Sequence, residues 1–252
     1  MSFLRHNIGP RLRLMRTALF RRFIYPDVIK MAEDYGLSYR DLGANVEPFE
    51  FVRPLTRGTA APPPDFGALI KPVETFTPPG EPEFFNSEPS VGRFLGQLAY
   101  YLRPQTVVEL GCFVGWSSVH LALGLQASQS GGRLFCVDYR QDYLDATTAN
   151  LKRHGLGGVA TPVLGLSLEP SVIEALPQWI DLVFLDTSHS YPATRDEIVA
   201  YAPRVRSGGL FVLHDSISAS GVRRSIRELA GRFDALTFAT ERSNGVTILR
   251  AR

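Results

Sequence analysis

TVVELGCFVGWSS, residues 106–118, runs from a strand-length apolar segment through two glycines into helical spacing, and its reading decides the fold. The same unit recurs downstream. RLFCVD (133–138), ATPVLG (160–165), DLVFLD (181–186) and GLFVLH (209–214) are apolar runs of strand length. Between them lie segments with helical periodicity, such as 117–125, 142–154 and 193–205. Strands that alternate with helices need parallel crossovers, which predicts a doubly wound α/β sheet covered on both faces. The end departs from this pattern. ALTFAT (235–240) and VTILR (246–250) are separated by five residues ending in Asn244-Gly245, too few for a crossover and suited to an antiparallel hairpin. The expectation is a mostly parallel seven-stranded sheet with a C-terminal antiparallel hairpin. Upstream, Ser87 is placed to cap a helix with Pro89 in its first turn and Val91, Phe94, Leu98 and Tyr101 on one face.

The first third of the chain is different. Eleven of its 18 prolines fall between Pro48 and Pro104, and PPP at 62–64 forbids a regular helix or central strand there. This divides the chain into an N-terminal extension (1–47), a Pro-rich connector (48–86) and a main domain (87–252). Leu12, Met15, Leu19 and Phe23 follow helical spacing, and six arginines with no acid fall within residues 1–25. We expect this basic extension to be a helical lid with solvated arginines, not a nucleic-acid arm, and Phe49, Phe51, Phe84 and Phe85 to line an acceptor site or pack in the core. With 252 residues, 44% hydrophobic and 21% charged, the chain can bury a large core, and its net charge of +2 excludes a polyanion trap spread over the whole surface. Cys112 and Cys136 lie in apolar runs without metal-ligand spacing, which reads as buried thiols and a cytoplasmic protein. No apolar stretch is long enough to span a bilayer.

In an open α/β sheet, ligands bind at the carboxyl edge, where Gly111 and Gly115 allow close backbone approach and helix-start amides face the ligand. Phe113 and Trp116 stand where a dinucleotide fingerprint needs its second and third glycines, which disfavours NAD. Asp138, ending the second run, is positioned to accept hydrogen bonds from both hydroxyls of a ribose; the alternative is that it caps the helix beginning at Gln141.

ELGCFVGWSS followed by VDYR resembles motifs I and II of the class I S-adenosylmethionine-dependent methyltransferases, over roughly residues 83–250. The resemblance implies a Rossmann-like methyltransferase fold. It also implies cofactor contacts at Glu109, Gly111, Gly115, Ser117, Asp138, Tyr139, Ser167 and Asp186, with Asp138 on the ribose and Ser167 near the adenine.

Asp186, His214 and Asp215 fall at the ends of neighbouring strands and form an oxygen-and-nitrogen ligand set suited to magnesium, with manganese, iron or zinc allowed by the imidazole. His189, three residues past Asp186, is a candidate general base with a pKa near neutrality. LDTSHSY (185–191) and GGLFVLHD (208–215) are similar to the metal-dependent O-methyltransferases of the catechol and caffeoyl-CoA type and of bacterial natural-product and sugar tailoring. His214 departs from that family, which carries Asp or Glu there. The expected function is methyl transfer from S-adenosylmethionine to a hydroxyl of a natural-product, sugar or phenolic acceptor. The roles expected are Asp186, His214 and Asp215 on a magnesium or manganese ion, His189 and Asp186 in catalysis, and a homo-oligomeric assembly. The rivals are metal-independent O- or N-methyl transfer and a noncatalytic binding protein with the same fold.

Overall fold

A computed structural model of the chain describes residues 38–41, 64–70, 86–240 and 244–252. The arginine-rich start and most of the connector, with the expected helix through Leu12 and Phe23 and the aromatics Phe49, Phe51, Phe84 and Phe85, lie outside the described residues.

Strand β1 is Ser38–Asp41; the main domain supplies β2 (Thr106–Leu110), β3 (Arg133–Asp138), β4 (Ala160–Leu164), β5 (Ile180–Leu185), β6 (Val205–His214), β7 (Phe233–Ala239) and β8 (Val246–Ala251). They form one sheet of order β1-β7-β8-β6-β5-β2-β3-β4. The seven strands expected from the sequence are all present, and β8 runs antiparallel between β6 and β7 as the hairpin pattern requires. The eighth strand is additional. Ser38–Asp41 lies in a segment read as helical, yet pairs parallel with Leu236–Ala239 of β7 and so covers an edge that would otherwise be open.

The helices are α1 (Phe66–Leu69), α2 (Pro89–Leu102), α3 (Trp116–Ser128), α4 (Gln141–Arg153), α5 (Pro170–Ala175), α6 (Tyr191–Tyr201) and α7 (Ser220–Leu229). One turn, α1, forms within the expected connector directly after its proline run. Helix α2 begins as expected, but its N-cap is Glu88, whose side chain makes no capping bond. Ser87, expected to cap, is buried and its hydroxyl has no partner among the described residues.

Because successive strand residues point to opposite faces, each central strand feeds two cores. Val107, Leu182, Phe184, Leu210 and Val212 join Phe94, Leu98, Val119 and Leu121 on one face. Val108, Leu110, Val183, Leu185, Phe211 and Leu213 join Ile198, Val222 and Ile226 on the other. Burial on both faces explains why these strands read as continuous apolar runs. Cys112 and Cys136 are free and buried, as expected.

Helices α2 and α3 meet at a position where only glycine fits. A Cβ on Gly124 would lie 2.2 Å from the carbonyl oxygen of Gly96 and 2.8 Å from the Ala99 methyl. Alanine would gain about 1 kcal/mol of helix propensity, but a backbone clash in a packed core costs about 1–3 kcal/mol, so the clash should dominate. Gly124→Ala is expected to lower the free energy of unfolding measured by denaturant titration; an unchanged or raised value would mean that the two helices separate freely.

Candidate functional site

Strand register builds the site. Leu110 pairs with Val137 on one side and Leu185 on the other, and Leu185 pairs with Leu213. The next residues along these four strands, Asp138, Gly111, Asp186 and His214, therefore stand in one row at the carboxyl ends. The chain turns outward from β2 to β3 and β4, then returns to β5 on the other side of β2, so the row spans the switch point where open α/β sheets bind ligands.

The glycine loop holds this edge close. Gly111 has φ 84°, and a Cβ there would lie 2.3 Å from the carbonyl oxygen of Asp186. Gly115 has φ 86°, and its Cβ would meet Thr147 Cα at 2.9 Å. From α4, the Thr147 hydroxyl donates to the Phe113 carbonyl at 2.9 Å, and the Asn150 amide donates to the Val114 carbonyl at 2.8 Å. Neither residue was singled out from the sequence. The available signal was two polar residues three apart on the same face as Leu144 and Leu151.

Asp138 is buried and faces the loop. One carboxylate oxygen accepts from the Phe113 N–H at 3.0 Å and the other from the Arg140 N–H at 3.2 Å. Helix α4 has Arg140 as its N-cap and no side-chain capping bond, so Asp138 is not the cap of that helix. Burial raises its pKa, against the amides that lower it. Tyr139 beside it is 63% exposed.

Two expected cofactor residues are engaged within the protein. Ser167 donates its hydroxyl to Glu197 of α6, which also accepts from Thr187 at 2.9 Å and thereby ties the loops after β4 and β5 together. Glu109 points away from the edge into the α3 side, where Ser117 and Ser118 hydrogen-bond to it. Full burial pushes its carboxyl up to about 7.

At the β5–β6 ends, carboxylates and imidazoles alternate. Asp186 Oδ1 lies 3.0 Å from His189 Nε2 and 3.1 Å from His214 Nδ1. On the far side of His214, Nε2 is 2.7 Å from Glu88 Oε2, and the other Glu88 oxygen accepts from the Thr240 hydroxyl at 2.7 Å. Asp215 stands one step off, with Oδ2 3.5 Å from His189 Nδ1 and Oδ1 3.8 Å from His214 Nδ1, while Oδ1 also accepts from Ser218. His189 and Asp215 both adopt left-handed backbone, with φ 57° and 55°, an uncommon conformation that clusters at functional sites. Glu88 was not recognised from the sequence, because it lies 126 residues before His214 and reads locally as a helix start.

The charges follow from this alternation. Burial works against an imidazolium at His214, but Asp186 and Glu88 outweigh it and hold the pKa well above the usual value. The same two imidazoles hold Asp186 well below the carboxylate range despite its burial. His189 is raised in the same way, with Asp186 and Asp215 outweighing burial. Asp186, His189 and His214 offer ligand atoms that all lie within 4.8 Å of one another.

The sequence matches the family described as "Methyltransferase domain" over residues 108–216, the segment that holds the row. It is 26% identical over 156 residues to a catechol O-methyltransferase of Niastella koreensis, covering 61% of this chain and 67% of that protein. A Mycobacterium tuberculosis catechol O-methyltransferase is also 26% identical, over 54% of this chain and 64% of its own length. The fold matches the O-methyltransferase TomG of Streptomyces achromogenes, solved with S-adenosylmethionine, at a TM-score of 0.61 and 20% identity over 80% of this chain and 94% of that one. An O-methyltransferase of Bacillus cereus in complex with S-adenosylhomocysteine gives 0.58 at 19% identity, covering 67% and 83%. Residues 108–216 are thus similar to a methyltransferase domain, and the sheet has the Rossmann-like methyltransferase fold of these solved structures. Among the described residues no helix is long and apolar enough to cross a membrane.

Two outcomes are expected. If Asp138 accepts from the ribose of the cofactor, as the family resemblance implies, Asp138→Ala removes a charge-assisted acceptor worth about 1.5–3 kcal/mol, so calorimetric affinity for S-adenosylhomocysteine should fall by roughly 10- to 100-fold; unchanged affinity would rule that role out. Because folding raises the His189 pKa above its ordinary value of 6.5, the stability it contributes is complete below that pH and is lost as pH rises through the higher folded value. Denaturation midpoints of the ligand-free chain, followed upward from pH 6.5, should therefore decline more steeply than those of His189→Gln. Parallel profiles would mean that the ring titrates alike in both states.

Proposed function

We propose that the chain transfers a methyl group from S-adenosylmethionine to a hydroxyl of a small molecule, with His189 accepting the hydroxyl proton and a divalent ion assisting. The observation that carries this reading is the row Asp138–Gly111–Asp186–His214, which sets a nucleoside-binding carboxylate and an acid–base cluster on one sheet edge. S-adenosylmethionine supplies an electrophilic methyl group on a sulfonium; the protein has to hold the acceptor in line with it and take away a proton. Asp138 serves the nucleoside end. The close Gly111–Asp186 approach admits no side chain at position 111 and holds the glycine loop against the end of β5.

His189 is suited to the proton. Its Nε2 is bonded to Asp186, which fixes the ring, and Nδ1 is turned toward Asp215 with the side chain 27% exposed, so solvent and an acceptor can reach it. A carboxylate behind an imidazole orients the ring and stabilises the imidazolium formed when a proton arrives.

The donor chemistry fits a divalent ion. Asp186 and His214 would hold it, with Asp215 as a further carboxylate, and the ion would supply positive charge that acidifies the acceptor hydroxyl. The catechol O-methyltransferases among the relatives support a phenolic acceptor, with the less acidic hydroxyls of sugars and natural products as the alternative. The two free, buried thiols support a reducing, cytoplasmic setting.

In single-turnover methyl transfer to a catechol-type acceptor, His189→Ala should lose about 10²- to 10⁴-fold in rate while S-adenosylhomocysteine affinity holds. A rate within about threefold of the parent, well inside the smallest loss expected for a base, would remove the proton from His189. Transfer that continues undiminished in excess chelator would favour the metal-independent form of the same reaction.

A further inference from the structure

We propose that Glu88 is a positioning residue that locks the His214 ring so that Nδ1 alone faces Asp186, which makes the ion site partly nitrogenous and selects manganese, cobalt or zinc over magnesium. This rests on the divalent-ion reading above and goes beyond it in naming the donor atom, the residue that orients it and the class of ion.

Glu88 is completely buried, yet it neither caps its own helix nor meets a Lys or Arg in an ion pair among the described residues. Burying a carboxylate is expensive unless it is paired and hydrogen-bonded. Its two oxygens are used on two partners, the His214 ring and the Thr240 hydroxyl. Thr240 in turn accepts from the backbone N–H groups of Asn244 and Gly245, so the carboxylate is anchored to the turn of the C-terminal hairpin rather than to a movable side chain.

The consequence for His214 is geometric. With Nε2 held by Glu88 at 2.7 Å, the ring cannot rotate to exchange its nitrogens without stranding a buried charge, so Nδ1 points at Asp186 Oδ1 3.1 Å away. A ring bracketed by two carboxylates needs positive charge on both nitrogens; Nε2 carries a hydrogen toward Glu88, and the place facing Asp186 calls for a proton or a metal ion. A carboxylate on the outer nitrogen of a ligating histidine fixes its tautomer and raises its basicity, and losing such a partner commonly costs about 10- to 100-fold in metal affinity. A nitrogen donor also disfavours magnesium, which prefers oxygen and gives up water reluctantly, relative to later divalent metals.

The metal-stripped full chain would be titrated with cobalt(II), followed by its visible absorption, and challenged with magnesium. Cobalt should bind with a ligand-field spectrum that about 100-fold more magnesium leaves intact, and Glu88→Gln, which keeps side-chain size, should bind cobalt roughly 10- to 100-fold more weakly. A second measurement uses only the unsubstituted protein. With cadmium-113 and nitrogen-15-labelled histidine, scalar coupling should appear at Nδ1 of His214. Equal cobalt affinity in a folded Glu88→Gln variant, displacement by equimolar magnesium, or coupling at Nε2 would each overturn the assignment while leaving the ion reading standing. A parent chain that binds neither cobalt nor cadmium would overturn the ion reading and this assignment together.

Discussion

The structure depends on the register between four parallel strands. Leu110, Val137, Leu185 and Leu213 are ordinary core residues, yet their pairing decides which residues come next at the sheet edge. A slip of one residue on β5 would send Asp186 to the opposite face, toward Leu110 and Leu213 of the neighbouring strands, because side chains alternate across a strand. The hydrophobic pattern is thus what aligns the polar row: the apolar residues of each strand must enter the two cores, and the carboxylates and imidazole then fall where the apolar runs stop.

Electrostatics accounts for what the row does once aligned. Three carboxylates and two imidazoles share a site that runs from the buried Glu88 and His214 to the partly exposed His189 and Asp215, and the buried members need an opposite charge within hydrogen-bonding reach. The alternation Glu88, His214, Asp186, His189, Asp215 provides this at each step. The left-handed backbone at His189 and Asp215 is consistent with the same demand, since it accompanies the inward turn of both side chains. By contrast, Glu109 lacks a cationic neighbour in the described residues, and its buried carboxyl is pushed toward neutrality.

Legibility from the sequence followed the range of the physics involved. Apolar runs, glycines and strand-end acids are local signals, and from them the parallel sheet, its antiparallel hairpin and the positions of Gly111, Asp138, Asp186, His189 and His214 could all be anticipated. What was not legible is long-range. Glu88 reads as the start of α2, and only the folded chain brings it to His214; Thr147, Asn150 and Glu197 look like unremarkable polar residues on helices until the loops they hold are in place. Ser167 and Glu109, for which the family resemblance implies cofactor contacts, hydrogen-bond within the protein to Glu197 and to Ser118, partners that local sequence does not reveal. Ser38–Asp41 carries no strong strand pattern, and its place is set by the unpaired edge of β7.

The bond from Thr240 to Glu88 closes a loop of 152 residues and draws on a hairpin synthesised long after α2. Contacts between such distant parts of a chain form late, since the entropy of closing the intervening loop is lost before they return any stability. During translation the glycine loop and Asp138 emerge and can pack long before β7 and β8 exist to anchor Glu88. The nucleoside end of the edge can therefore be built first, whereas the charged end waits for the hairpin. A ribosome-bound chain stalled before residue 240 would carry every acid and imidazole of the cluster without the hydroxyl that steadies the outermost one, which separates the birth of the binding edge from that of the reactive edge in time.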